Sequence, residues 1–207
     1  MNLYLFLSLI IVCVPFFSFI PNNKGGGSVI KYVTCCFLFF LLLFVGLRGD
    51  VDADYKNYLN MFNSVPNFQN GIDFDEYGNI HGEFLYLFFN SIFKFFNLTF
   101  SSFLLFVALL SFFLKYYVIS QHVRNSNLSI SLYLSFSYFL VEFVQIRWGL
   151  AISVGLLAIH FLNERRYIKS ILLALAAGLI QSLAFIITPF VFIYSIVFKL
   201  ITKNKII

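Results

Sequence analysis

Residues 145–192 read QIRWGLAISVGLLAIHFLNERRYIKSILLALAAGLIQSLAFIITPFVF. Two apolar runs, Trp148–Leu162 and Ser170–Phe198, stand on either side of a short basic loop. A helix needs roughly 17–25 apolar residues to cross the hydrocarbon core of a bilayer. The first run approaches that length, and the second exceeds it but is interrupted by Gln181 and Pro189. This stretch therefore predicts membrane helices, two of them short and meeting near Gln181.

The composition of the whole chain leads to the same class of protein. Of the 207 residues, 60% are hydrophobic and only 11% are charged, whereas soluble domains carry about 25% charged residues. A soluble domain, a disordered chain and a nucleic-acid-binding module are therefore excluded. We predict an all-α, polytopic membrane protein with about seven transmembrane helices and one interfacial helix, in a single domain over residues 1–207. The other apolar runs are Leu3–Ile20, Val29–Leu47, Ser101–Ile119 and Ile130–Ile146.

The distribution of charge predicts the orientation. Residues 48–83 form a polar loop with seven acidic and two basic residues, so its net charge is −5 and that of the remaining chain is +10. The positive-inside rule places this loop outside the cytoplasm. It places four basic clusters inside: Lys24/Lys31, Lys115/Arg124, Arg165/Arg166/Lys169 and Lys199/Lys203/Lys205.

Residues 84–97 form a short apolar segment interrupted by polar residues. Asn90, Lys94 and Asn97 recur at helical spacing, so they are predicted to share one helix face. If this segment crossed the membrane, two of the basic clusters would move outside. An amphipathic helix lying in the outer interface keeps all four inside, and this is the prediction for residues 84–97.

The sequence does not predict a metal site. Asp50, Asp52 and Asp54 alternate, so in an extended chain their carboxylates lie on one side and could bind a hard cation. A solvated acidic loop explains the same pattern with fewer assumptions, and the spacing does not match a calcium-binding loop. No histidine pair has metal-ligand spacing. We therefore expect neither a metal nor a cofactor.

Arg147 is the most informative single residue, because it lies between two apolar runs. An arginine at the centre of a membrane helix costs about 2.5–3.5 kcal/mol on insertion scales. Its guanidinium suits bidentate binding of a pyrophosphate or a carboxylate. The alternative is an arginine at the outer interface that marks a hairpin or pairs with Glu142. His160, near the inner end of its apolar run, is predicted to make a polar contact at the membrane interface or between helices.

Three parts of the sequence resemble the EpsG family of bacterial exopolysaccharide polymerases, a branch of the Wzy-like membrane glycan polymerases. The first is GLRGDVDADYKNYLNMF at residues 46–62, which is similar to the family's Gly-Leu-Arg followed by Asp-Tyr. The second is GEFLY at residues 82–86, where the family has a Glu that opens an apolar stretch. The third is residues 145–192, which resemble the family's Arg-x-x-x-Ala span, basic inner loop and Ser-Ala helix running to a Pro.

The resemblance implies a glycosyl transfer at the outer face of the bacterial plasma membrane. A glycan on polyprenyl pyrophosphate would pass to a new lipid-linked repeat unit, yielding exopolysaccharide or an O-antigen-type glycan. The implied partners are the lipid-linked glycan, the bilayer and other membrane proteins of polysaccharide assembly, but no nucleic acid. Cations would stabilise the departing pyrophosphate, a carboxylate would act as base, and polar or aromatic groups would bind sugar. The candidate cations are Arg147 and Arg48, and the candidate base is Asp54 or Glu83. The candidate sugar-binding residues are Tyr55, Tyr58, Trp148 and Gln181.

Two departures from the family keep alternatives open. Gln181 stands where the family has a His, and Gln cannot act as a general acid or base near neutral pH. The chain is also shorter than the family's usual members, so an inactive or truncated polymerase fragment is one alternative. A transporter or flippase component is the other, but it needs ionisable residues deep in several spans. The sequence suggests only Lys94 and His160 for such positions.

Overall fold

All secondary structure in the described part of the chain is helical. The computed structural model describes residues 40, 43–50, 54–66, 77, 80, 82–123, 129–130, 132–133 and 137–203. No strand occurs within these ranges, which confirms the predicted all-α fold. Two of the described helices are long and apolar enough to cross a bilayer, and the total of about seven stays a prediction. Leu3–Ile20 and the three cysteines lie outside the described residues.

The principal helices of these ranges are numbered here in chain order. Their bounds are α1 Tyr55–Ser64, α2 Phe84–Phe95, α3 Phe100–His122, α4 Ile146–Asn163, α5 Tyr167–Ile180 and α6 Ile187–Lys203. A π-helical segment, Tyr138–Val144, precedes α4, and a 3₁₀ turn, Ser182–Ile186, joins α5 to α6.

Helices α3 and α4 are the two that can span a membrane. With 23 residues, α3 is about 35 Å long, and Thr99 caps its start by accepting a hydrogen bond from the backbone N–H of Ser102 at 3.3 Å. Lys115 on α3 contacts Gly149 on α4, and nearer the C-terminal ends of both helices His122 contacts His160. Because the later residue of α3 contacts the later residue of α4, the two helices run parallel.

The last apolar run forms two helices, as predicted. Helix α5 ends at Ile180, and Gln181 takes an extended conformation before the 3₁₀ turn. Pro189 is the third residue of α6, where a missing N–H costs no intrahelical hydrogen bond. Gly178 permits the sharp return, because a Cβ there would collide with the ring of Phe185.

Residues 84–97 contain the predicted helix, but the predicted polar face is only partly correct. Asn90 is buried and its side chain donates to the backbone oxygen of Tyr86. Lys94 Nζ donates to the backbone oxygens of Asn63 and Val65, which end α1. Asn97 lies beyond the end of α2 with φ of 53°, a left-handed conformation that Asn tolerates. The interfacial location of α2 and the single domain over 1–207 stay predictions.

An aromatic core joins the polar loop of residues 48–83 to the helices. The ring of Tyr58, on α1, lies 6.1 Å from that of Tyr86, on α2. The ring of Tyr86 meets that of Phe103, on α3, edge-on at 5.4 Å, a geometry that aromatic pairs favour. All three side chains are buried. This packing brings the part of the 48–83 loop that forms α1 against the helices and so positions the site.

Candidate functional site

Arg147 forms an ion pair with Glu83, which is 64 residues away in the sequence. Arg147 lies in the first turn of α4, and Glu83 immediately precedes α2. Nη1 of Arg147 donates to Oε2 of Glu83 at 2.5 Å. The two side chains are 17% and 18% exposed, so the pair lies at the edge of the core. The alternative pairing of Arg147 with Glu142 is wrong, because Glu142 pairs with Lys115.

The second oxygen of Glu83 contacts the turn between α5 and α6. Oε1 accepts from the backbone N–H of Ser182 at 3.0 Å and from its hydroxyl at 3.2 Å. Glu83 therefore connects the end of the 48–83 loop to α4 and to this turn. Both carboxylate oxygens of Glu83 therefore accept hydrogen bonds from neighbouring elements, and the carboxylate holds these neighbours in place.

Two tyrosine rings flank the guanidinium. The Cζ atom of Arg147 lies 5.5 Å from the ring centroid of Tyr58 and 5.8 Å from that of Tyr86. Such cation–π contacts favour a charged group that is partly removed from water. Burial raises the pKa of Tyr58, and the nearby charge of Arg147 lowers it by a smaller amount. The Tyr58 hydroxyl therefore stays protonated at neutral pH and can donate a hydrogen bond.

Arg147 also lines a cavity of about 450 Å³ on the side of α1. Most of the cavity wall comes from one face of α1, where the spacing of three and four residues repeats. The wall combines a carboxylate, amides and a hydroxyl with one cation and a few apolar surfaces. Its residues are Asp54, Asn57, Tyr58, Asn60, Met61, Ser64, Ile80 and Arg147. Such a mixture suits a ligand rich in hydroxyl groups with an anionic end.

Comparison with known proteins identifies the family. The model of the EpsG family matches residues 31–207. The chain belongs to the EpsG family. No curated protein and no solved structure matches it significantly. Membership of the EpsG family, together with the apolar helices, indicates a membrane protein with an exopolysaccharide-polymerase type of role.

The three stretches that carry the EpsG resemblance meet at this site. Tyr58 comes from residues 46–62, Glu83 and Tyr86 come from residues 82–86, and Arg147 and Ser182 come from the third stretch. Segments separated by more than a hundred residues thus converge on one guanidinium. Of the predicted site residues, Arg147, Glu83, Tyr58 and Asp54 are brought together.

The other predicted site residues of this EpsG protein are not among the residues that line the cavity. Arg48 is buried, with its Cζ 5.0 Å from the ring of Phe143. Tyr55 packs edge-on against Phe100 at 5.4 Å. Trp148 is half-buried against the core, and Gln181 contributes backbone hydrogen bonds to the α5–α6 turn. Their proposed roles stay predictions.

Sequence reasoning missed several residues of this site. Ser182 follows Gln181 and makes the contact with Glu83, although of these two neighbours Gln181 was the one predicted to bind substrate. Asn57 and Asn60 line the cavity, and their spacing of three within a polar loop was the signal that could have found them. Tyr86 stands inside the GEFLY motif and faces Arg147, but an apolar context made it resemble a core residue.

The placement of Lys115 at the inner face, with the basic cluster, is wrong. Lys115 is 3% exposed and pairs with Glu142, which is 4% exposed. Its Nζ also donates to Ser111 Oγ at 2.7 Å, Ser153 Oγ at 2.6 Å and the Gly149 backbone oxygen at 2.9 Å. A charged amine deep in the helices is retained because these acceptors replace its water shell. The structure thus contains more buried charge than the sequence suggested.

Of the two predicted roles of His160, the structure supports the interhelical contact. Its Nδ1 lies 2.9 Å from Nε2 of His122, which ends α3, and its Nε2 lies 3.5 Å from Oε1 of Glu164. This contact joins the far ends of α3 and α4. His81 and Arg124 lie outside the described residues.

The acidic start of the outer loop shows an ion pair at its surface. Asp50 lies 2.9 Å from Lys56, and both side chains are more than half exposed. Asp52 lies outside the described residues. Within the described ranges, His, Cys, Asp and Glu side chains form no group of three that could hold a metal.

Proposed function

We propose that this EpsG protein polymerises polyprenyl-pyrophosphate-linked oligosaccharide repeat units at the outer face of the bacterial plasma membrane. The observation that carries the proposal is the position of Arg147, on the wall of a polar cavity that also includes Asp54. Residues of the first and third stretches that resemble the family line the cavity, and Glu83, from the second stretch, pairs with Arg147. The bilayer and other membrane proteins of polysaccharide assembly are its proposed surroundings.

In this proposal, Arg147 binds the pyrophosphate of the donor. The guanidinium is charged at every physiological pH and can form two parallel hydrogen bonds to phosphate oxygens. Glu83 holds it from one side, and Tyr58 and Tyr86 flank it, so its direction is set before substrate arrives. Charge that develops on the leaving pyrophosphate then meets a cation that needs little reorganisation.

Asp54 is the better candidate for the general base. The acceptor hydroxyl gives its proton to the Asp54 carboxylate while its oxygen bonds to the anomeric carbon of the donor sugar. The bond between that carbon and the pyrophosphate oxygen breaks, and polyprenyl pyrophosphate leaves. Asp54 lines the cavity, whereas both oxygens of Glu83 already accept hydrogen bonds from Arg147 and Ser182.

The α1 face of the cavity supplies the groups for the acceptor sugar. Asn57, Asn60 and Ser64 present amides and a hydroxyl, which can both donate to and accept from sugar hydroxyl groups. Tyr58 adds a buried ring with a protonated hydroxyl. The predicted contributions of Tyr55, Trp148, Gln181 and Arg48 are part of the same proposal, although these residues do not line the cavity.

A polysaccharide gel tests the proposal. A polymerase-null host that makes the matching repeat unit would express the wild type or Arg147→Ala, with membrane levels measured by immunoblot. We expect a ladder of polymer from the wild type and single repeat units from the variant. A normal ladder from the variant would remove Arg147 from the reaction. Single units from both chains, at equal membrane levels, would favour an inactive polymerase.

A transporter or flippase component is the second candidate function. The buried pair Lys115–Glu142 favours it, because ionisable residues inside membrane helices often mark a transport path. The two functions predict different products from Arg147→Ala. A polymerase defect leaves lipid-linked single units at the outer face, whereas a transport defect leaves them at the cytoplasmic face. Labelling the exposed glycan on intact cells with an impermeant lectin separates the two.

A further inference from the structure

We infer that the buried pair Lys115–Glu142 positions Arg147, by holding the first turn of α4 against the π-helical segment. This inference rests on the proposed function, because it assigns to the pair the task of aiming the proposed pyrophosphate-binding residue. Both members are positioning residues. They belong to α3 and to the π-helical segment, and neither lines the cavity.

The pair connects three elements close to Arg147. Lys115, on α3, donates to Glu142, in the π-helical segment, and to the backbone oxygen of Gly149, in α4. Gly149 is only two residues beyond Arg147. Ser111 and Ser153 complete the set, since Ser111 donates to Glu142 at 3.0 Å and Ser153 donates to the Gly149 oxygen at 2.7 Å.

The backbone at Gly149 shows how tightly these elements are joined. A Cβ at this position would lie 2.6 Å from the backbone oxygen of Val141 and 3.2 Å from Oε2 of Glu142. The start of α4 therefore lies directly against the π-helical segment, backbone to backbone. Only Gln145 separates the two elements. A rotation of this first turn would carry the Arg147 side chain away from Glu83.

The form of the preceding segment supports a functional role for this junction. Seven residues, Tyr138–Val144, are π-helical, and π-helical turns are rare and occur frequently at functional sites. Tyr133 also donates to Glu142. Glu142 thus accepts from three side chains, which is an unusual concentration of donors on one buried carboxylate.

Two neighbouring contacts differ in their distance from Arg147, which supplies a matched control. The pair His122–His160 also joins α3 to α4. It lies seven residues beyond Lys115 on α3 and eleven residues beyond Gly149 on α4, or about 10 and 17 Å along the two helices. A contact that only stabilises the bundle should matter at either position. A contact that aims Arg147 should matter at Lys115 alone.

The test uses thiol labelling at position 147, so it does not require activity. In a background in which Cys13, Cys35 and Cys36 are replaced by Ser, Arg147→Cys is labelled on intact cells by an impermeant cationic methanethiosulfonate. The double variant Lys115→Met with Glu142→Gln removes the charges together, so no unpaired charge remains buried. Ser153→Ala is a milder perturbation, and His122→Ala is the control.

We expect the double variant to change the labelling rate more than fivefold at an unchanged membrane level. Ser153→Ala should change it two- to threefold, and His122→Ala less than 1.5-fold. With Arg147 present, the double variant should make at least tenfold less polymer while His122→Ala makes a normal amount. If the double variant fails to accumulate in the membrane, the labelling rates of Ser153→Ala and His122→Ala are compared instead, with the same expected changes.

Three results would overturn the inference. The first is a double variant that labels at the parent rate and makes normal polymer, which reduces the pair to a packing contact. The second is an unchanged labelling rate with loss of polymer, which assigns the pair to another step. The third is an equal effect from His122→Ala. If instead Arg147→Ala makes normal polymer, the proposed function fails, whereas the labelling rates still report on positioning.

Discussion

The two ion pairs Arg147–Glu83 and Lys115–Glu142 differ in their exposure to solvent: the first lies at the edge of the core and the second inside it. Arg147–Glu83 is about one-sixth exposed and borders a cavity. Lys115–Glu142 is almost fully buried, and each member has several other hydrogen bonds. A partly exposed cation can exchange a partner for an incoming anion at small cost. A buried, saturated pair cannot, because loss of one partner leaves an uncompensated charge and costs about 3–5 kcal/mol.

Under the proposed function, this difference in exposure gives the chemical role to Arg147–Glu83 and a structural role to Lys115–Glu142. Glu142 precedes Gln145 and Arg147 follows it, so one residue of each pair lies close to the start of α4. Under the proposed function, this junction combines a rigid attachment with the substrate-binding surface. Catalytic groups commonly need this combination, since a small misplacement of a positioned group can cost about 10²-fold in rate.

The largest expected effect distinguishes the roles of the two carboxylates near Arg147, Asp54 and Glu83. Asp54→Asn should reduce the rate of polymer formation by about 10²–10⁴, because a general base is lost. Glu83→Gln should reduce it only about tenfold, since the amide oxygen can still accept from Ser182 while Arg147 loses a charged partner. Incorporation of labelled repeat units into polymer by membranes measures both rates.

Asp50→Asn is the matched control for these two variants. Asp50 lies in the same loop and pairs with Lys56 at the surface, where an ion pair is worth little. Its rate should stay within twofold of the wild type. If Glu83→Gln falls as far as Asp54→Asn, Glu83 is the base, and the assignment of a purely holding role to it is incorrect.

The second prediction concerns the inner region. Gly149→Ala should destabilise the protein by about 1–3 kcal/mol, because the new Cβ meets a backbone oxygen that cannot move cheaply. In a chain of this length, that corresponds to a melting temperature roughly 2–12 °C lower. Thermal unfolding in detergent measures the shift. Gly49→Ala is the control, because a Cβ there has no neighbour within 4 Å in the described structure, and it should melt with the wild type.

Much of the fold could be predicted because its signals are local. Apolar length indicates a membrane helix, so the helices near 101–119 and 148–162 appear within a few residues of α3 and α4. The break at Gln181 was visible because Gln, Ser and Pro interrupt an overlong run. The π-helical segment was not predictable, since it depends on the contact between Val141 and Gly149 and leaves no period in the sequence.

The site was predictable as a set of residue types but not as a set of contacts. Arg147 stood out because an arginine between apolar runs is costly. The partner of Arg147 was not predictable in the same way. Glu142 is only five residues away and was the candidate, whereas the actual partner, Glu83, comes from another part of the chain. Charge counting likewise assigned Lys115 to the inner face, because a count cannot distinguish a solvated amine from one enclosed by four acceptors.

The third prediction tests the cavity wall. Asn57→Ala and Asn60→Ala should each weaken acceptor binding about three- to tenfold, the equivalent of one hydrogen bond of about 1 kcal/mol. The apparent KM for the lipid-linked acceptor should rise while kcat changes little, because these contacts exist before and during the reaction. Asn63→Ala is the control, since Asn63 lies on α1 but is not among the residues that line the cavity. Equal effects at all three positions would mean that α1 matters for stability alone.

The smallest expected effect is at Gln181, where relatives in the family have His. Gln181→His should change polymer formation less than twofold, because Asp54 already lines the cavity and the recorded hydrogen bonds of Gln181 are made by its backbone. The same gel that compares the wild type with Arg147→Ala measures it, with Ser182→Ala beside it. Ser182→Ala keeps the backbone N–H that bonds to Glu83 and should cost less than fivefold. A tenfold gain from Gln181→His would instead show that a proton acceptor is missing next to Ser182, and it would transfer the role of base from Asp54 to position 181.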